Sequence, residues 1–174
     1  MYVIAIDVGI KNLGLCVFDF RTNQFVHWER VSLVHSGRYV PANNVRYIKD
    51  LTARYAHYFE NATEILVERQ MRTNMRIIEA VFQTLYFDKC KVVSPRSVKL
   101  HYDLSTNNYR TNKAKAVEWA ADFIEANPES FAPDVASAFA GKLDDLADAL
   151  LLVCYYLDTY SSANTKQNSN ALAL

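Results

Sequence analysis

Three apolar runs that begin or end on acids constrain this chain more than any other feature. "YVIAIDVG" carries Asp7 at the end of its run, "EILVE" ends on Glu68, and "DDLADALLLVCYYL" opens with Asp145 and Asp148 three residues apart. A carboxylate at the end of a core element is costly to desolvate unless something cationic compensates. Several of them in such places point to a divalent-metal site, and from there to phosphate chemistry. Each acid also has a plainer reading. An acid in the first turn of a helix favours the macrodipole, and one at a strand end caps a turn or pairs with a lysine.

The order of elements predicts the class. Tyr2 to Asp7, Leu13 to Phe20 and Phe25 to Leu33 read as a three-stranded meander. A helix over Val45 to Phe59, a buried strand at Glu64 to Glu68 and a helix over Asn74 to Phe87 follow. A fifth strand is expected at Lys91 to Ser94, and a short helix starting at Pro95. Tyr102 to Asn112 reads as a mobile polar loop, with Thr111 or Asn112 capping a helix to about Ala126. The last helix is expected from Leu143 to Tyr160. This is an α/β pattern in one domain over residues 1–160, with a disordered tail at 161–174. If strands one and four pair in parallel, Asp7 and Glu68 become neighbours.

Along the last helix, Leu143, Leu146, Ala147, Leu150, Cys154 and Leu157 form a core face, while Asp145 and Asp148 project together from its first turn. Gly9 is expected to let the backbone pass close to a ligand. Carboxylates that converge within a few ångströms cannot all ionise unaided, and Mg²⁺, which prefers hard oxygen ligands, reverses that preference. Asp7 would then bridge two ions, with Glu68, Asp145 and Asp148 divided between them and Asp144 as a substitute for one of the pair. Lys113 is the base expected near a scissile phosphate. An exposed helix lysine is its plain reading, and Lys115 is the competing assignment.

The formal net charge is zero, so charge distribution carries the argument about partners. Lys89, Lys91, Arg96, Lys99, Arg110, Lys113 and Lys115 face the lone acid Asp103 within one segment, and the following segment is acidic. That fits a positive surface beside an acidic pocket, although solvated helix faces give the same pattern. Cys16, Cys90 and Cys154 show neither disulfide nor zinc spacing, which indicates a reducing compartment. No apolar run reaches the roughly 20 residues needed to span a bilayer, and no targeting signal precedes the first strand.

The segments "IAIDVGIKNLGLCVFD", "ILVERQMRTNM", "KVVSPRSVKLHY", "YRTNKAKAVEW" and "KLDDLADALLL" together resemble the RuvC-like branch of the RNase H-like superfamily. The nearest likeness is to Holliday junction resolvases of poxviruses and other large DNA viruses, with mitochondrial resolvases close by. The resemblance implies a five-stranded mixed sheet flanked by helices, a homodimer, and Mg²⁺- or Mn²⁺-dependent paired nicking of four-way DNA junctions with two ions per site. It maps the catalytic and metal-binding acids to Asp7, Glu68, Asp145 and Asp148, and the family's positively charged catalytic residue to Lys113. Bacterial relatives carry an aromatic wedge three residues after the second acid, and Met71 stands there in this chain. Arg69, Arg72, Arg76, Arg96, Lys99, Arg110 and Lys115 are then expected to hold DNA phosphates without reading sequence. The helix over Asn74 to Phe87 is expected at the dimer interface, with burial in its own core as the alternative. Without a targeting signal, and with this viral likeness, a host-cell cytoplasmic location is expected, with mitochondria and nucleus left open. Competing readings are a related nuclease acting on flaps, R-loops or RNA, a scaffold without activity, and an actin-like ATPase, for which a second glycine-rich phosphate loop is missing.

Overall fold

Alternation along the first strand sets the layers. In the computed structural model, backbone is described for residues 1–138 and 143–171, and side chains up to residue 137 and over 143–159. Strand β1 (Tyr2–Asp7) is buried along its whole length. Val3 and Ala5 join one core with Cys16 and Phe18 of β2 (Leu13–Asp19) and Leu66 of β4 (Ala62–Glu68). Ile4 and Ile6 join the opposite core with Leu15, Val17, Ile65 and Val67. A strand covered on both faces needs such an unbroken apolar run.

The sheet order is β3-β2-β1-β4-β5, where β3 is Gln24–Val31 and β5 is Cys90–Val93. β1 and β2 pair antiparallel, as do β2 and β3, whereas β1, β4 and β5 run parallel. One face is covered by α5 (Tyr109–Ala126) and α6 (Asp144–Ala171), with Val98 of the short α4 (Pro95–His101) beside them. The other face is covered by α1 (Asn44–Arg54), α2 (Ala56–Glu60) and α3 (Thr73–Leu85), through Ile48, Leu51, Phe59, Ile78 and Phe82.

Three local expectations change. The helix expected over Val45 to Phe59 is two helices broken at Tyr55, whose ring lies against His27 at 5.2 Å and whose hydroxyl donates to Glu29 at 2.8 Å. These contacts to β3 override the helical spacing. Helix α5 starts earlier than expected, because Asn108, not Thr111 or Asn112, is its cap. The Asn108 side chain accepts from the backbone N–H groups of Arg110 and Thr111, the usual device for unsatisfied first-turn donors. Asn112 instead holds the preceding loop, accepting from the Thr106 backbone N–H at 2.7 Å and donating to its carbonyl at 3.1 Å. Finally, the last helix, expected to end at Tyr160, continues as α6 backbone through Ala171. No Gly or Pro interrupts it after Asp144; residues 172–174 lie outside the described ones.

The seating of α6 positions everything that follows. Asp7 pairs with Gly14 across the β1–β2 ladder. A Cβ on Gly14 would stand 2.1 Å from the Asp145 carbonyl oxygen, so the first turn of α6 rests directly on the β2 backbone. Trp28 secures the same turn from β3, its indole N–H donating to the Leu146 carbonyl at 3.0 Å. Gly9 serves the fold differently from its expected role: its missing Cβ gives way to the Asn12 carbonyl across the β1–β2 turn, at 2.2 Å. A Gly14→Ala substitution should push α6 off the sheet and cost about 1–3 kcal/mol, read as a lower urea midpoint at unchanged slope. An unchanged midpoint would contradict this seating.

Candidate active site

The parallel register of β1 and β4 brings the first two acids together. Ile6 stands beside Val67, and each chain continues by one residue, to Asp7 and Glu68. The period-two alternation turns both toward the core that holds Ala5 and Leu66, which is the face α6 covers. Both acids therefore sit at the carboxyl ends of parallel strands, where open α/β sheets bind ligands. Helix α6 adds Asp145 from its first turn and Asp148 three residues further on. Asp7, Glu68, Asp145 and Asp148 line one cavity of about 600 Å³.

Burial makes these charges interact. The Asp7 carboxyl is pushed well above its usual range, first by burial, then by the charges of Glu68 and Asp148, with a hydrogen bond to Glu68 adding to the shift. Glu68 is also raised, by burial and the Asp148 charge, against the opposing pull of Asp7, Lys99 and Gln70. Asp148 is raised by burial although Lys99 opposes it. Burial, neighbouring negative charge and the hydrogen bond to Glu68 thus all favour the protonated form of Asp7. Lys99 approaches Asp148 to 3.4 Å with only 15% of its side chain exposed. Lys113 is paired with Asp144 and lies over the Tyr109 ring at 5.4 Å. Burial pulls the Lys113 ammonium down, but Asp144 and Tyr109 outweigh that and hold it above its usual value. Lys113 is thus a cation at neutral pH and suits charge stabilisation, not proton abstraction.

Among the described residues, no three Asp, Glu, His or Cys side chains close into a ready cation cage. Asp148 faces Lys99 and Asp144 faces Lys113 instead. The donor set nevertheless fits a hard divalent cation: it is all oxygen, and four carboxylates meet in one cavity. Such a cation would relieve the burial and like-charge repulsion that raise Asp7 and Glu68.

The same cavity is lined by Arg69, Met71, Arg72, Arg96, Lys99 and Lys113. Lys99, expected to hold DNA phosphates, lines the cavity as the partner of Asp148. Arg76 lies in a neighbouring groove with Val45, Ile77 and Leu85. Arg110 and Lys115 are outside the cavity lining, and Lys115 reaches the Asp103 carbonyl at 3.4 Å. Sequence reasoning missed Gln70, Ser105, Tyr109 and Asn112, which also line the cavity. A signal existed for two of them: Tyr109 and Asn112 precede Lys113 by four and one residues on the α5 turn.

The poxvirus A22 protein family model matches residues 1–159 of the chain. The chain belongs to the poxvirus A22 protein family. The fowlpox virus Holliday junction resolvase superposes with a TM-score of 0.66 at 21% identity, over 92% of this chain and 99% of that one. The yeast mitochondrial Holliday junction resolvase gives a TM-score of 0.71 at 17% identity, over 99% of this chain and 86% of that one. The Thermus thermophilus RuvC, solved in complex with a Holliday junction substrate, gives 0.55 at 17% identity, over 91% and 96%. No curated protein matches the chain by sequence. The A22-family chain thus has the RNase H-like fold of the RuvC-like resolvases, and its acids stand at the ends of the sheet's central parallel strands.

The raised carboxylates make a pH prediction. Above the ordinary carboxylate range, the folded protein keeps protons that the unfolded chain has lost, so stability falls as pH rises toward the raised folded values. Without divalent cations, Asp7→Asn should therefore melt above wild type at about pH 8, and the advantage should vanish near pH ~3, below the unfolded value. Melting curves in chelator across this range read the effect. A wild type that melts higher than the variant at the alkaline end would refute it.

Proposed function

We propose that this protein is a divalent-metal-dependent endonuclease that resolves four-way DNA junctions by paired nicks. The observation that carries the reading is the convergence of four carboxylates from three distant segments in one cavity, rimmed by Arg69, Arg72 and Arg96. The A22 family membership and the junction resolvases that share the fold support the substrate class.

Each residue has a role that follows from its position. Asp7, Glu68, Asp145 and Asp148 would hold two ions, Mg²⁺ or Mn²⁺, with Asp7 shared between them. Bound there, the metal supplies an activated water and stabilises the departing oxygen of the phosphodiester. Lys113, kept cationic by Asp144, offers positive charge to the reacting phosphate. Lys99 neutralises Asp148 until a cation does so. Arg69, Arg72 and Arg96 hold phosphates at the rim, and Arg76, Arg110 and Lys115 extend that surface along the DNA arms. Such contacts orient DNA without reading its sequence, so selectivity comes from the shape and deformability of the junction. Met71, 87% exposed at the cavity rim, would be the side chain that enters the strand crossover.

A junction presents two equivalent strands, and a two-fold dimer presents two equivalent sites. Helix α3 is suited to the interface. Ile78 and Phe82 are buried in the protomer's core, whereas Ile77 and Leu85 are exposed beside Val45. Free thiols at Cys16, Cys90 and Cys154 agree with the reducing cytoplasm of a host cell, and among the described residues no helix is long and apolar enough to cross a membrane.

Cleavage of four-way junctions, flaps, linear duplex and RNA–DNA hybrid in Mg²⁺ tests the reading; the junction should be cut first and in pairs. Preferred cutting of flaps or hybrid would move the assignment to a related nuclease. Asp7→Asn, Glu68→Gln and Asp148→Asn should each abolish cutting while junction binding persists, and normal turnover by any of them would defeat the metal-ligand roles. Ile77→Asp should give a monomer in sedimentation that no longer makes paired cuts. A variant that remains dimeric would remove α3 from the interface.

A further inference from the structure

We infer that Gln70 and Glu79 form a positioning relay that orients Glu68 for cation binding; the inference rests on the metal-dependent reading above. Glu68 ends β4, and the chain reaches α3 through residues 69–72. Arg69, Met71 and Arg72 in this connection are exposed, so packing does not hold it. Gln70 is the half-buried exception, and it lines the acidic cavity.

The Arg69 N–H donates to the Val93 carbonyl at 2.8 Å, and three hydrogen bonds made by Gln70 fix the rest of the connection. The Gln70 side-chain amide donates from Nε2 to the Glu68 carboxylate Oε2 at 3.2 Å and to the Glu68 backbone carbonyl at 3.1 Å. Both neighbours are acceptors, which sets the amide with its nitrogen toward Glu68. The Gln70 backbone N–H in turn donates to Glu79 Oε2 at 2.7 Å. Glu79 is half-buried on α3 and follows Ile78, which is fully buried, as is Phe82 one turn later. The orientation of the Glu68 carboxylate therefore traces, through Gln70, to a carboxylate on a helix anchored in the core.

The residue types suit the task. A neutral amide occupies one Glu68 oxygen without bringing a positive charge to the place a cation would take. A lysine in the position of Gln70 would compete with the ion as Lys99 does at Asp148. The Glu79 side chain accepts a short bond, 2.7 Å, from a backbone N–H, and a carboxylate acceptor makes such a bond stronger than a neutral one does. Partners of this kind behind a metal-ligating carboxylate are worth about 10–100-fold in metal affinity.

Direct Mn²⁺ binding to the full chain without DNA, read by calorimetry or by electron paramagnetic resonance, tests the relay. Gln70→Ala should weaken Mn²⁺ binding about 10–100-fold and raise the Mn²⁺ concentration for half-maximal junction cutting in parallel. Its melting temperature in chelator should stay close to wild type. Glu79→Ala should act in the same direction, and Glu79→Gln, which keeps an acceptor oxygen, should retain most of the affinity. Wild-type Mn²⁺ affinity in Gln70→Ala would overturn the relay and leave the metal site standing. A wild type that takes up no Mn²⁺ would overturn both.

Discussion

The first turn of α6 lies on Gly14, and the position of the acidic cluster depends on that contact. Gly14 is the ladder partner of Asp7, so the helix backbone touches the sheet beside the first acid. Any side chain at that point would collide with the Asp145 carbonyl. Trp28 holds the same turn from β3 through the Leu146 carbonyl. Parallel pairing of β1 with β4 supplies Glu68. Segments more than sixty residues apart thus deliver oxygens to one cavity by ordinary strand register and close helix packing.

The cost of that convergence is electrostatic. Burial and like charge drive protons onto Asp7 and raise Glu68 and Asp148. Lys99 and Lys113 relieve part of the load by pairing with Asp148 and Asp144. A site of this kind is less stable alone than with a divalent cation, because binding to the native state alone stabilises it by mass action. Internal lysines offset part of the cluster's negative charge, and a multivalent ion would offset the rest. In the proposed reading, the arginines around the rim would extend the same logic outward, to a phosphate backbone.

Much of this was legible in the chain. The apolar run of β1 and the short run before Glu68 identify buried strands because both sheet faces are covered, and the acids at their ends stand out for the same reason. The D-x-x-D of "DDLAD" marks one helical face by spacing alone. What escaped depends on particular contacts. Asn108 and Asn112 are the same residue type four positions apart, yet one caps α5 and the other ties down Thr106. Tyr55 breaks a helical pattern because it reaches Glu29 on a strand distant in sequence. Lys99 reads as one more base in a basic segment, and only the path of α4 past α6 turns it onto Asp148. Gln70 carries no charge or motif, so its bond to Glu68 is visible only in three dimensions.

Mn²⁺ soaked into crystals of the protein, read by anomalous scattering, asks whether these oxygens together bind divalent ions. Anomalous peaks should appear among Asp7, Glu68, Asp145 and Asp148, with Lys99 withdrawn from Asp148. A cavity that stays dark at saturating Mn²⁺, with the lysine pairs intact, would contradict a divalent-ion site there.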